Sequence, residues 1–298
     1  MTKVGFIGLG IMGLPMAANL RKAGIELMVN DLDVQAVKKM TELGAEAGTK
    51  TQIAKECQII FMILPNGSIV QDVLFGEGGL SSEIQKGTVV CDMSSVTPVQ
   101  SKMCYDKLKK LGVSFVDAPV SGGEPGAVAG TLVIMAGGDQ DAFDLLVPYF
   151  GIMGSSALLT GDSGSGSITK LANQIIVNMN IAAVSEAFVL ASKAGADPEK
   201  VFQAIRGGLA GSAVLEAKMP MILERNFQPG GKISINHKDI KNVVETAHQI
   251  DVPVPLSSQL FEIFQALKVS GHMNDDHAGI VQYFEGLAQI KVQKNVER

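Results

Sequence analysis

The sequence predicts a chain in two parts, an α/β half built on a doubly wound, mostly parallel sheet and an all-helical half after it. Three observations carry that expectation. The chain opens on an apolar run, Lys3-Val-Gly-Phe-Ile7, that passes straight into three glycines, Gly8, Gly10 and Gly13. Short apolar runs then alternate with stretches of helical spacing, the pattern left by parallel strands joined by crossover helices. Beyond Asp162-Ser-Gly-Ser-Gly166 no convincing strand recurs and helical periodicity takes over.

In order along the chain, Lys3–Ile7 reads as the first strand. A helix follows from near Met12, with Pro15 in its first turn and Gly24 as its stop. Glu26–Asn30 reads as the second strand and ends on Asp31. Further strands are expected at Ile59–Leu64, Thr88–Asp92, Ser114–Ala118 and Leu132–Ala136, with helical spacing between them, as from Pro98 to Leu111. Apolar runs without strict alternation suit strands covered on both faces. We place the boundary near residue 162, giving an α/β domain over 1–162 and a helical domain over 163–298. Helices are expected over Ser167–Ala194, Pro198–Gly207, Ala213–Glu224, Ile235–Gln249, Ser257–Ser270 and Asp276–Lys291. The first of these is apolar on almost every side (Leu171, Ile175, Ile176, Val177, Ile181, Val184, Phe188, Leu190), which predicts central burial and a part in both a domain and a subunit interface.

Composition fits a soluble enzyme. The 298 residues, 46% hydrophobic and 18% charged, can form one large core or two smaller ones. Net charge is −5 and no run of lysine and arginine occurs, which argues against a nucleic-acid surface. A strand begins within the first few residues, leaving no room for a leader, and no uninterrupted apolar run approaches the roughly 18 residues that span a bilayer. A cytoplasmic location without a membrane partner is the expectation. Cys57, Cys91 and Cys104 are odd in number and show no CxxC spacing, so reduced, mostly buried thiols are expected.

The glycine trio carries chemistry because of its context. Gly8 suits the tight turn after a strand, Gly10 lets backbone approach a pyrophosphate, and Gly13 lets the following helix pack closely. The N–H groups of Ile11, Met12 and Gly13 open that helix, whose dipole favours phosphate. Asp31, at the end of the second strand, suits a ribose 2′-hydroxyl and repels a 2′-phosphate. Leu32 follows it, where an NADP enzyme often has arginine, so NAD is preferred; Lys38 and Lys39 keep NADP open.

Lys170 is the unusual residue of the long apolar helix. Its neighbours three and four residues away are Gly166, Ser167, Asn173 and Gln174, none of them acidic. Desolvation disfavours an ammonium, which makes such an amine a candidate proton donor and acceptor; snorkelling to solvent, or an acid from another element, is the alternative. Asn173 stands one turn on. Asp92-Met-Ser-Ser95-Val-Thr-Pro98 and Asp117-Ala-Pro-Val-Ser121-Gly122-Gly123 each close a strand where doubly wound folds bind ligands, and the two glycines permit a backbone nest for a carboxylate. Asn236-His237-Lys238-Asp239 falls at the beginning of a helix, where the dipole disfavours a cation. His272 to His277 invites a metal reading, but Asn274 or Asp275 as a helix cap is simpler, and no metal is assigned. His237 and His248 are expected to be exposed, with contact to the site beside Lys238 as the alternative for His237.

Taken together, Gly8-Leu-Gly10-Ile-Met-Gly13, Asp92-Met-Ser-Ser95, Asp117-Ala-Pro-Val-Ser121-Gly-Gly123, Gly164-Ser-Gly166-Ser-Ile-Thr-Lys170-Leu-Ala-Asn173 and Lys238-Asp239 resemble the signatures of the β-hydroxyacid dehydrogenases, in order and over essentially the whole chain. Arg206-Gly-Gly-Leu-Ala-Gly-Ser212 and Gly122-Gly-Glu124-Pro resemble the tartronate semialdehyde reductase branch of that family. The resemblance implies a Rossmann-type domain with a helical domain and a homo-oligomer, dimer or tetramer. It implies reversible reduction of a small aldehyde-acid by a nicotinamide cofactor, with Lys170 as the catalytic acid and base. Ser121, Gly122 and Gly123 match the loop that takes the substrate carboxylate, and Asn173 matches the residue beside the lysine. Leu64, Pro65 and Ser95 match cofactor contacts, and Lys238 matches a lysine that closes over cofactor and substrate. The rivals are 3-hydroxyisobutyrate dehydrogenase or a related semialdehyde reductase, and a dinucleotide-binding sensor without turnover.

Overall fold

A computed structural model describes residues 2–294, and the chain divides between Lys170 and Leu171 into two units. Among the described residues the strands, all in the first unit, are β1 (Val4–Ile7), β2 (Leu27–Asn30), β3 (Glu46–Ala47), β4 (Ile59–Met62), β5 (Val89–Asp92), β6 (Ser114–Asp117), β7 (Val120–Ser121), β8 (Leu132–Ala136) and β9 (Gly154–Leu159). Its helices are α1 (Gly13–Lys22), α2 (Val34–Glu42), α3 (Lys50–Glu56), α4 (Gly67–Phe75), α5 (Pro98–Lys109), α6 (Gly123–Ala129) and α7 (Gln140–Met153), and α8 (Ser165–Lys193) begins there.

Six strands form a wholly parallel sheet in the order β3-β2-β1-β4-β5-β6. Phe6, Phe61, Met16, Leu20 and Phe150 pack in one apolar cluster and Ile53, Ile60, Met62, Val90 and Phe115 in a second. Burial on both faces explains why these strands read as apolar runs rather than alternations. The register leaves the carboxyl ends flush: Ile7 lies opposite Asn30 and Met62, Met62 opposite Asp92, and Asp92 opposite Asp117. The loops after β1, β2, β4, β5 and β6 therefore leave from one edge. Between β1 and β4 the strand order reverses, which opens a crevice at that edge. Local chemistry starts each crossover helix: Asp33, Thr49, Asn66 and Thr97 accept from their own helices' first turns, with full capping boxes at Thr49 and Thr97.

One expected strand sits elsewhere. Leu132–Ala136 forms β8 of a separate three-stranded sheet, β7-β8-β9, antiparallel to β7 and parallel to β9. Only Ala118-Pro119 separates β6 from β7, too short for the crossover a parallel neighbour requires, so the chain turns away from the main sheet. The first turns of α8, hydrogen-bonded to the end of β6, fall with the first unit, which runs to Lys170.

The second unit holds the remainder of α8, then α9 (Pro198–Ile205), α10 (Ala213–Leu223), α11 (Ile233–Gln249), α12 (Pro255–Val269) and α13 (Val281–Ala288). Its core has two clusters, one around Ile181, Ile233, Ile240 and Phe264, the other around Phe188, Phe202, Met219 and Ile222. The last expected helix is shorter and split, a 3₁₀ turn at His277–Ile280 preceding α13, and Asp276, not Asn274 or Asp275, caps it by accepting from Ala278 N–H. Central burial of α8 does not hold within one chain. Its most apolar 18-residue window has a mean hydropathy of 1.6, long and apolar enough to cross a membrane by composition, yet only 28% of that window is buried. Ile176 is 67% and Leu190 71% exposed. An all-round apolar pattern predicts burial on every side, which one chain does not supply here.

Candidate active site

The glycine loop turns out of β1 at the crevice. Gly8 has a φ of +98°, and a Cβ there would lie 2.2 Å from the carbonyl oxygen of Ile63, just after β4. Gly13 is held more tightly still, its missing Cβ falling 1.9 Å from the Gly8 oxygen. Gly10 differs, because a Cβ there meets nothing within 4 Å. Its glycine therefore answers no contact within the protein and leaves open space for an external group. Helix α1 has no side-chain cap at Met12, in contrast to α2 through α5, so no side chain competes there for an anion. Ile11 is exposed and Met12 half-buried beside it. These residues fit the pyrophosphate of a dinucleotide.

Asp31 is more engaged than the sequence suggested. One carboxylate oxygen accepts from Leu9 N–H at 2.5 Å and the other from Asp33 N–H at 2.7 Å. Each oxygen keeps a further lone pair, so the carboxylate can bind the glycine loop and still accept from a ribose hydroxyl. Across the crevice, Ser94 Oγ accepts from Leu64 N–H at 2.8 Å, and Ser94 N–H donates to Asp92 at 3.0 Å. That ties the Leu64-Pro65 turn after β4 to the turn after β5 that presents half-buried Ser95.

Asp117 ends β6 and leads into Ser121, Gly122 and Gly123. Ser121 closes β7 and pairs with Val133. Gly122 and Gly123 have φ of +130° and +62° and are exposed. Both have positive φ, a backbone conformation that glycine adopts without strain. Lys170 is 8% exposed, on the second turn of α8. The start of that helix is held by Asp117, whose two carboxylate oxygens accept from Gly164 N–H at 2.7 Å and Ser167 N–H at 2.8 Å. Burial raises the Asp117 carboxyl to about 6, against the lowering effect of those backbone bonds. Ser167 Oγ also bonds Ser101 Oγ of α5 at 2.8 Å. The sequence offered no signal for this clamp, because its partners are about 50 residues apart.

In the second unit, Asn173 and Lys238 belong to one polar network. Asn173 Nδ2 donates to Gln174 Oε1 at 3.0 Å, Gln174 Nε2 donates to Asp239 Oδ2 at 2.7 Å, and Lys238 Nζ lies 3.1 Å from Asp239 Oδ1. Gln174, Asn236 and Asp239 are buried. In the sequence Gln174 stands only as one of the non-acidic neighbours of Lys170, whereas in the structure it joins the two expected site residues. Lys238 sits in the second turn of α11, not at its start, since the helix begins at Ile233. His237 is not exposed either: its ring stacks on Phe261 at 4.9 Å and Nε2 pairs with Gln265 at 2.8 Å. His248 is exposed, and His272 Nδ1 pairs with Asp275 Oδ2 at 2.9 Å. Among the described residues no three His, Cys, Asp or Glu side chains gather to hold a metal. The three cysteines are free and buried, and burial pushes Cys57 and Cys104 up to about 12.

Two family models divide the chain between them. Residues 3–161 match the NAD binding domain of 6-phosphogluconate dehydrogenase and 164–284 the NAD-binding domain of NADP-dependent 3-hydroxyisobutyrate dehydrogenase. Over 97% of this chain and 99% of the relative, the sequence is 41% identical to 2-hydroxy-3-oxopropionate reductase of Escherichia coli (strain K12). The chain belongs to the β-hydroxyacid dehydrogenase family. Another member, 2-(hydroxymethyl)glutarate dehydrogenase of Eubacterium barkeri, is 36% identical over 97% of both chains. Among solved structures, 3-hydroxyisobutyrate dehydrogenase of Mycobacterium tuberculosis superposes with a TM-score of 0.87 at 26% identity, covering 95% of this chain and 98% of the other. As a β-hydroxyacid dehydrogenase the protein is an NAD(P)-dependent oxidoreductase acting on 3-hydroxy acids or the matching semialdehydes.

Proposed function

We propose that the protein reduces tartronate semialdehyde (2-hydroxy-3-oxopropanoate) to D-glycerate with NADH, reversibly, with Lys170 as general acid and base. A bound nicotinamide supplies or takes the hydride at the carbonyl carbon. Lys170 gives a proton from its ammonium to the carbonyl oxygen, which becomes the hydroxyl, and removes it again in the oxidative direction. The backbone N–H groups of Ser121, Gly122 and Gly123 receive the substrate carboxylate. Asn173 and Lys238 hold the positions that the family's motifs give to the residue beside the acid and base and to a lysine that closes over cofactor and substrate. Gly8, Gly10, Ile11, Met12 and Gly13 take the pyrophosphate, Asp31 the ribose, and Leu64, Pro65 and Ser95 the rest of the cofactor.

The observation that carries this reading is the buried amine of Lys170 on a helix whose first turn is bonded to the segment ending in the left-handed pair Gly122-Gly123. The choice of substrate draws on the likeness to the Escherichia coli reductase over nearly the whole of both chains. The second reading, oxidation of 3-hydroxyisobutyrate or reduction of a related semialdehyde, draws on the helical-domain match and the glutarate relative. A panel of short aldehyde-acids, followed by loss of NADH absorbance, tests the two. Highest kcat/KM on tartronate semialdehyde is the expected result; a higher value on a methyl-branched or dicarboxylate semialdehyde selects the second, and NADH binding without turnover on any of them selects the sensor. The exposed aliphatic side chains of α8 support a homo-oligomer, which light scattering of the purified protein measures.

A further inference from the structure

We infer that Asp117 is a positioning residue for Lys170: its carboxylate serves as the missing N-cap of α8 and ties that helix to the loop proposed to hold the substrate. The inference rests on the reading of Lys170 as the acid and base. A helix leaves its first N–H groups without intrahelical partners, and a side chain at the cap position ordinarily takes one or two of them. Here that position is Gly164, which has no side chain and a φ of +91°. The cap comes instead from the end of β6, where the Asp117 oxygens accept from Gly164 N–H and, three residues on, Ser167 N–H. Lys170 follows Ser167 by three more residues on the same face of the helix.

The geometry leaves this turn little freedom. A Cβ on Gly166 would lie 2.4 Å from the carbonyl oxygens of both Asp117 and Met135, so α8 begins in direct backbone contact with the ends of β6 and β8. Ser101 holds Ser167 from α5. Asp117 itself is 1% exposed, and a carboxylate held there costs free energy, as its raised proton affinity records. An ionised acid at that place is favoured by the helix dipole and by having an acceptor oxygen for each N–H. Asparagine has the same shape but one acceptor, and its amide would point N–H at N–H. Because Asp117 also begins the segment running to Ser121, Gly122 and Gly123, one side chain sets where the proton donor stands relative to that loop.

The test compares Asp117→Asn with Lys170→Ala in the full-length enzyme. For Asp117→Asn we expect kcat to fall by about 10²-fold, the order of loss for a misplaced catalytic group, with the NADH Kd within about twofold of wild type. Amide hydrogen exchange over residues 163–172 should quicken while the glycine-loop peptides stay unchanged. An unaltered kcat in Asp117→Asn beside an inactive Lys170→Ala overturns the inference, as does a fall in kcat with unchanged exchange in that segment. Full activity in Lys170→Ala instead overturns the acid and base reading beneath it. Should Asp117→Asn fail to fold, Ser101→Ala loosens the same turn through Ser167 and must lower kcat without altering the NADH Kd; unchanged kcat there counts against the inference.

Discussion

The carboxylate of Asp31 accepts from the backbone N–H of Leu9, 22 residues earlier, at 2.5 Å, and so fastens the end of β2 to the glycine loop after β1. A residue expected to choose between cofactors also shapes the turn that receives either of them. Asp31→Ala should therefore weaken NADH binding by more than the ribose contact alone, about tenfold or more for loss of hydrogen bonds to a charged group. The gain toward NADPH should be correspondingly partial, and larger in Asp31→Ser with Leu32→Arg. Fluorescence titration of both cofactors measures it; a wild-type preference for NADPH would contradict the assignment of Asp31.

Gly10 and Gly13 predict opposite kinds of damage. Gly10→Ala adds a methyl to open space, so thermal unfolding without cofactor should stay near wild type while NADH binding falls at least about tenfold as the methyl occupies the pyrophosphate's approach. Gly13→Ala drives a Cβ into the Gly8 carbonyl and should lower Tm, since overpacking typically costs about 1–3 kcal/mol. Equal Tm losses in both variants would remove the cofactor role of Gly10.

Lys170→Ala should leave NADH affinity nearly intact and lower turnover by roughly 10²–10⁴-fold, the usual share of general acid and base catalysis. Single-turnover kinetics separate that loss from product release. Wild-type turnover would sink the assignment.

At Gly123 the φ of +62° resists a side chain, and the residue lies in the proposed carboxylate nest. Gly123→Val should raise the KM of the aldehyde-acid and leave the NADH dissociation constant close to wild type. Should KM not move, the carboxylate must be bound elsewhere, with Lys238 the next residue to test.

Asp117 sets a pH dependence whose sign differs between stability and activity. Its carboxyl is raised from 3.8 to about 6, chiefly by burial. Its contribution to stability is therefore fully present below about 4 and lost as pH rises through about 6, so Asp117→Asn should gain on wild type in Tm over that interval. Activity runs the other way: protonation removes one acceptor from the clamp on α8, and kcat should fall as pH drops through about 6 in wild type but not in Asp117→Asn. Asp92 lies opposite Asp117 in the sheet and Lys102 lies beside Gly164, whose N–H the carboxylate accepts; a midpoint near 6 that persists in Asp117→Asn would overturn the assignment to this carboxylate.

Features whose cause is local were legible in the chain. The doubly wound half, the glycine turn, Asp31 at the end of β2, the helical second half and the cysteines' burial each follow from residues within a few positions of one another. Apolar runs, caps and turn glycines act over that range, and strand order follows once each crossover is long enough to be parallel. What depends on partners far apart in sequence was decided by the tertiary structure alone. It moved Leu132–Ala136 into a second sheet, turned His237 onto Phe261, and set Asp117 as the cap that Gly164 cannot supply. It drew Asn173 and Lys238 into one network through Gln174 and Asp239. Apolar periodicity says which side of a helix avoids water, and it is silent about which side chain meets it there. The exposed Ile176 and Leu190 of α8 show that limit, since their pattern is that of a buried helix and one chain does not bury them.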